Sequence, residues 1–444
     1  RVHGDNKKQP RNHHNEIIRS ACPCRIISSR IELWRCITME KRRTLVAEWI
    51  FLHHHIFLIA IALGFVVLDP FEIGPMGGHD FRPVVNNLAP YNQVMDRWPR
   101  DNQSRLATGK LEHLGEVFGP ESLEFDSQGN GPYTGLADGR IVRWMGNQIG
   151  WETFATVTRD WSEKLCMKGA DSTTSKQWIH EKTCGRPLGL RFDTKTGNLY
   201  IADAYHGLLM VGPEGGLATR LSNQAGKDPI LFANDLDIHT NGSVFFTDTS
   251  KRYDRVDHFL ILLEGESTGR LLRYDPPTKT THIVVEGLAF PNGVQISKKE
   301  EFIVFTETTN CRVMRYWIEG ERAGKLEVLA DLPGFPDNVR ANGKGEFWVA
   351  IDCCRTRGQE VLARNPWMRK VYFRVPMKMN WLARMMGMRM YTVVCRVNEN
   401  GDVLEVLEDI NGDVMKLVSE VREVKGKLWI GTVAHNHIAT LDYP

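Results

Sequence analysis

Four short stretches of this chain repeat one another: Thr196-Gly-Asn-Leu-Tyr-Ile-Ala-Asp203, Asn241-Gly-Ser-Val-Phe-Phe-Thr-Asp248, Lys344-Gly-Glu-Phe-Trp-Val-Ala-Ile-Asp352 and Lys425-Gly-Lys-Leu-Trp-Ile-Gly-Thr432. Each opens on a glycine turn and continues into a run of aromatic and β-branched residues, the composition of a half-buried strand. Other runs of the same kind, such as Gly269–Tyr274 and Glu301–Trp317, lie between them. Similarity returning at about one four-stranded unit is the mark of radial repetition. The spacing predicts an all-β fold, a six-bladed β-propeller over residues 106–444. A β-sandwich of this length needs two domains, and no linker divides this stretch.

One segment breaks the β pattern. Residues 355–390 contain seven of the fifteen methionines, together with Trp367, Trp381 and nine basic residues, but only one acid, Glu360. The segment reads as a helical insertion covering one face of the propeller. A lid or membrane-contact surface is the alternative, because cationic stems beside apolar side chains suit a lipid interface.

The N-terminal part reads as separate pieces. Residues 1–38 are irregular and basic, a non-native or disordered extension, with Met39 as the natural start. Residues 39–49 form a basic flank. Residues 50–68 are apolar apart from His53, His54 and His55, and span a bilayer as a signal anchor. The basic flank keeps the N-terminus cytosolic and sends the rest into a lumen. No A-x-A-like cleavage site follows, which favours an uncleaved anchor over a signal peptide. Residues 69–105 read as a linker.

The charge balance, 56 basic against 54 acidic residues, gives no field for nucleic acid. No P-loop, G-x-G-x-x-G or G-x-S-x-G motif is present, which argues against nucleotide partners and a serine nucleophile. Asn102 and Asn241 open glycosylation sequons, and Cys166 and Cys184 flank a polar segment that a disulfide would close. No CxxC spacing points to zinc.

Several strings carry a family resemblance: Gly119-Pro-Glu-Ser-Leu-Glu-Phe-Asp126, Cys184-Gly-Arg-Pro-Leu-Gly-Leu190, Phe232-Ala-Asn-Asp-Leu236, Phe290-Pro-Asn-Gly293 and Phe335-Pro-Asp-Asn338. In order, from about residue 105 onward, they resemble plant strictosidine-synthase-like proteins. The wider kinship is with calcium-dependent propeller lactonases and esterases of the paraoxonase and gluconolactonase type. That kinship implies a calcium ion (Ca2+) in the central tunnel, held by Glu121, Asn234, Asn292, Asp337 and Asn338. All five are oxygen donors, as a hard cation requires, although Asn-Asp and Asn-Gly pairs are also ordinary turn residues.

The chain departs from the family at three points. Ser419 stands where strictosidine synthase has its catalytic glutamate, and Glu420, as a strand neighbour, is expected to face the other way. Leu188 stands where the paraoxonase-type histidine would fall. Ser122 replaces an acid of a second calcium site, of which Asp235 remains. Candidate bases are Asp352, Glu307 and His206, each with a blander role as a strand-end cap or a packed histidine; His435 and His437 are a weaker pair. The leading expectation is a luminal calcium-dependent hydrolase acting on a small hydrophobic ester or lactone. A propeller binding a small-molecule ligand or partner without turnover is the alternative, and a Pictet–Spengler condensing enzyme the weakest reading. The resemblance further implies an endoplasmic-reticulum membrane or vacuolar location and a part in pollen exine formation.

Overall fold

The computed structural model describes residues 30–167, 180–388 and 391–444, in two compact units that divide between Pro70 and Phe71. The first unit is described through a single helix, Arg30–Leu68, whose Lys41–Leu68 portion is long and apolar enough to cross a membrane. The helix starts well before the apolar run because the stretch from Arg30 to Trp49 contains neither Gly nor Pro and is rich in good helix formers. Of the extension at 1–38, residues 1–29 lie outside the described residues.

The second unit is a six-bladed propeller. Six four-stranded sheets follow one another, and each runs outward from an inner strand. Blade 2 comprises Pro187–Phe192, Leu199–Asp203, Gly207–Val211 and Thr219–Ser222. Blade 3 comprises Ala233–Ile238, Val244–Asp248, Gly269–Asp275 and Thr280–Leu288. Blade 4 runs from Pro291–Ile296 to Leu326–Asp331, and blade 5 from Gly334–Ala341 to Val403–Asp409. In blade 1, a bridge from Glu124 to Tyr133 marks the innermost position. All four repeated stretches are the second strand of their blade. Their alternate residues pack between sheets in separate buried clusters, such as Trp348 and Ala350 between blades 5 and 6.

The ring closes by sharing a blade. Lys110–Glu112 pairs with Ile438–Asp442, so the start of the propeller supplies the outermost strand of blade 6. This removes the sheet edges on which an open array would aggregate.

The tunnel face is roofed by insertions. Residues 355–388 form the helices Arg357–Arg364, Pro366–Tyr372 and Met379–Met385, between the second and third strands of blade 5. The first carries a capping box of Thr356 and Gln359, and Pro366 opens the second. Helix His258–Glu264 occupies the same place in blade 3. Leu260, Phe373 and Leu382 join the two insertions in one buried cluster.

The stretch 69–105, expected as a linker, is instead part of this roof. Met76 and Phe81 enter the same cluster, Leu88 packs beside Ala363, and Trp98 reaches the core between blades 4 and 5. Its apolar residues are too widely and irregularly spaced to register as an element, but burial is decided by what they meet. Cys166 and Cys184 are joined with an S–S distance of 2.07 Å. Cys353 and Cys354 are joined to each other, while Cys311 and Cys395 are free and buried. Asn102 and Asn241 are exposed.

Candidate metal centre and active site

The inner strands lose register at one common level. Pairing slips between Pro187 and Gly189, Ala233 and Leu236, Pro291 and Val294, Pro336 and Val339, and Val418 and Glu420. The residues skipped are Leu188, Asn234 with Asp235, Asn292 with Gly293, Asp337 with Asn338, and Ser419. A bulge of this kind re-aims side chains and breaks the in–out alternation of a strand. Consecutive residues can then both face the axis. Gly293 permits the close approach of blade 5, since a Cβ there would meet the Asn338 Cα at 2.5 Å.

Four buried oxygens at this level have no hydrogen-bond partner among the described residues: Glu121 Oε2, Asn234 Oδ1, Asn292 Oδ1 and Asn338 Oδ1. Their orientation is imposed from behind. Thr249 Oγ1 donates to the Pro291 carbonyl at 2.9 Å and so accepts from Asn234 Nδ2 at 3.1 Å. Thr308 Oγ1 donates to the Pro336 carbonyl at 2.7 Å and accepts from Asn292 Nδ2 at 3.3 Å. Asn338 Nδ2 donates to Glu121 Oε1 at 3.1 Å. With every amide nitrogen engaged as a donor, every amide oxygen is left without a partner among the described residues. A buried acceptor without a partner costs about 1–3 kcal/mol, and four such oxygens together form a donor set whose chemistry fits a cation. Asp337, which Asn292 hydrogen-bonds, keeps partial solvent access and completes a set of two carboxylates and three amides. That set suits a hard ion such as Ca2+. No group of three or more His, Cys, Asp or Glu side chains placed to hold a metal forms among the described residues; this set relies on amides.

The electrostatics agree. Burial, then the nearby Asp235, push Glu121 up to about 8, and burial with Glu121 and Asp352 raises Asp337 well above the carboxylate range. Burial alone raises Asp352 to about 7. A cation among them would favour the charged forms. In metal-free protein the native state therefore holds protons that the unfolded chain loses in the ordinary carboxylate range, so stability falls as pH rises from about 4.5 and levels off above about 8. The expected slope is up to about 1.4 kcal/mol per pH unit for each such proton. Thermal unfolding in chelator across this range checks it; a melting temperature that climbs with pH contradicts it.

Asp352 differs from its counterparts in other blades. Asp203, Asp248 and Glu307 end the second strands of blades 2–4 and cap the start of their own inner strands. Asp203 accepts from the Arg186, Tyr205 and His206 amides, and Asp248 from the Phe232 amide and Arg270. Glu307 accepts from the Ala289 amide at 2.8 Å and from Arg312. In blade 5 the matching position is Ile351, paired with Pro336, and Asp352 lies one residue further along. Asp352 accepts no hydrogen bond among the described residues. Its carboxylate is therefore available for proton transfer, whereas that of Glu307 is occupied. His206 lies beside Asp203 on blade 2, with a buried Nε2 that has no partner among the described residues.

One layer deeper, a buried guanidinium supplies positive charge between the blades. Arg340 is 1% exposed; Nη1 donates to Asp235 Oδ2 at 2.6 Å, and Nη2 pairs with Glu420 Oε2 at 2.5 Å and donates to Ser122 Oγ at 3.2 Å. Burial opposes its charge, but Asp235 and Glu420 more than offset this and raise its pKa further. A third layer pairs Arg422 and Arg191 with Glu124. The expectation that Glu420 points away from the tunnel is corrected: the slip at Ser419 lets both residues face the neighbouring Glu121–Leu123 segment. Ser419 Oγ donates to the Glu121 carbonyl at 2.7 Å, and Glu420 Oε1 accepts from the Leu123 amide at 2.9 Å.

Known proteins resemble this chain along most of its length. Family models described as strictosidine synthase and as strictosidine synthase-like, N-terminal, match residues 234–321 and 102–144. Protein STRICTOSIDINE SYNTHASE-LIKE 13 of Arabidopsis thaliana is 68% identical over 394 residues, 88% of this chain and 95% of that protein. The chain belongs to the strictosidine synthase-like family. Protein STRICTOSIDINE SYNTHASE-LIKE 3 of the same plant is 44% identical, over 86% of this chain and 96% of its own length. Among solved structures, a calcium-binding protein, regucalcin, of Agrobacterium tumefaciens matches with a TM-score of 0.49 and 13% identity, over 75% of this chain and 93% of that one.

Within this strictosidine synthase-like propeller, Leu188 packs with Ala204, Phe232, Ile261 and Phe290 in an apolar cluster. His435 and His437 stack with ring centroids 5.6 Å apart, and burial lowers both below the usual histidine range. Sequence reasoning missed Arg340, Arg191 and Arg422. Charged residues recurring on inner strands, as in Glu420 and Arg422 or Asp235 and Asp237, were the available signal of a polar tunnel.

Proposed function

We propose that this strictosidine synthase-like protein is a calcium-dependent hydrolase of a small hydrophobic ester or lactone. The observation that carries the reading is the set of four partnerless buried oxygens on Glu121, Asn234, Asn292 and Asn338, beside an Asp352 raised to about 7. Glu121, Asn234, Asn292, Asp337 and Asn338 would hold the ion. When bound, Ca2+ supplies charge to polarise a carbonyl and stabilise a developing oxyanion. Asp352 takes the proton of an attacking water, a role for which a carboxylate poised near neutral pH is well matched. The apolar helix Lys41–Leu68 supports attachment to the endoplasmic-reticulum membrane with the propeller in the lumen, and onward passage to the vacuole is the variant of that reading. Exposure of Asn102 and Asn241 suits glycosylation there. A role in pollen exine formation rests on the family resemblance.

A second reading is favoured by Ser419 and Leu188, both packed away where relatives carry chemistry: a propeller that binds its ligand without turnover. The full chain in detergent decides between them. One calcium per chain is expected, with about 2.7 kcal/mol of stabilisation at a hundredfold excess over Kd, lost in chelator and in Asn292→Leu. Hydrolysis of an aryl-ester and lactone panel should vanish with the ion. Binding without hydrolysis supports the second reading; no ion and no thermal shift removes the first.

A further inference from the structure

The outer surface of the roof shows one pattern on three successive helices. On Pro366–Tyr372, Trp367 is 69% exposed and lies three residues from the exposed Lys370, on the same face. On Met379–Met385, Trp381 and Met385 are 55% and 63% exposed and one turn apart, with the Arg384 guanidinium 5.9 Å from the Trp381 ring centroid. On Arg357–Arg364, Val361 is exposed one turn from Arg357. The opposite faces are buried through Leu362, Arg369 and Leu382. Glu360, the one carboxylate of residues 355–388, is paired with Arg364.

Large exposed aromatics are costly in water, and exposed indoles bracketed by cations match the headgroup region of a bilayer, where rings sit at the interface and ammonium or guanidinium groups meet phosphates. Trp, Met and Arg are also common in protein interfaces, so the choice of a bilayer rests on the tether. Chain connectivity supplies that tether. Five residues, Asp69–Ile73, separate the end of the apolar helix at Leu68 from Gly74, whose backbone lies against that of Arg374 in the roof. An extended chain covers about 3.5 Å per residue, so a bilayer crossed by that helix tethers the roof within roughly 20 Å of the membrane.

We propose that the roof docks on a bilayer surface bearing anionic headgroups, with Trp367, Trp381 and Met385 entering the interface and Lys370 and Arg384 meeting phosphates. The tunnel face would then open beside the membrane. Residues 71–444 contain all six sheets, the closing strand and every buried cluster, so they fold without the apolar helix and can be tested alone. The test is co-sedimentation with phosphatidylcholine vesicles, with and without a minority of phosphatidylinositol. Wild type should bind the anionic vesicles more tightly, with binding weakened by salt. Trp367→Ala with Trp381→Ala, and separately Lys370→Glu with Arg384→Glu, should each weaken partitioning about tenfold at unchanged melting temperature. Failure to bind anionic vesicles, equal binding to neutral ones, binding the variants leave intact, or self-association through this face without lipid would overturn the proposal.

Discussion

Arg340→Met is expected to cost about 3–5 kcal/mol of stability, because it leaves the buried carboxylates of Asp235 and Glu420 facing each other without a cation. The two carboxylates are held by blades 3 and 6, and Arg340 by blade 5, so this ion triad ties three blades at the tunnel axis. For a propeller of this size the loss corresponds to a fall in melting temperature of roughly 4–6 °C. The cost should shrink toward pH 5, since protonation relieves a carboxylate whose counter-charge is gone. Thermal melts of wild type and variant at pH 5 and 8 make the comparison. A variant as stable as wild type at both would show that the layer does not depend on its internal cation.

Asp352→Asn should reduce kcat for ester or lactone hydrolysis by about 10²–10⁴-fold while leaving calcium affinity close to wild type. The amide matches the carboxylate in size but cannot accept a proton. In wild type the rate should rise with pH as Asp352 loses its proton and then level off, with the midpoint below the value of about 7 set by burial alone, because bound calcium favours the carboxylate. In Asp352→Asn this limb should be gone from the residual rate. Pre-steady-state and steady-state rates across pH 5.5–9, with calcium binding followed separately, test both parts. A variant that keeps full kcat, or one that loses the ion as well, removes Asp352 from the role of base. Glu307→Gln is the contrasting substitution: that carboxylate anchors the Ala289 amide and Arg312, so its loss should register as stability and not as a change in the pH profile.

Much of this was legible before any fold was known, and the divide follows the range of the forces. The glycine turns and aromatic runs at Leu199–Asp203, Val244–Asp248, Phe347–Cys353 and Lys427–Thr432 are set by local preference and by burial between identical neighbours. Repetition therefore announced the blades. The apolar composition of residues 50–68 likewise needs no partner to be read. The oxygen donors Glu121, Asn234, Asn292, Asp337 and Asn338 could be singled out through family likeness, because they sit at matching places in successive repeats.

Tertiary structure alone decided three things. Bulges turn adjacent residues such as Ser419 and Glu420 to one side, against the alternation a strand normally imposes, because the inner strands must crowd around an axis. The same crowding brings Arg340 to Asp235 and Glu420, partners 105 and 80 residues away in the chain, and no local pattern encodes such a meeting. A one-residue offset leaves Asp352 unpartnered while Asp203, Asp248 and Glu307 cap their strands. Composition and repetition specify which residues form strands; only closure of the ring determines which charges end up buried together, since that depends on distance in space and not along the chain.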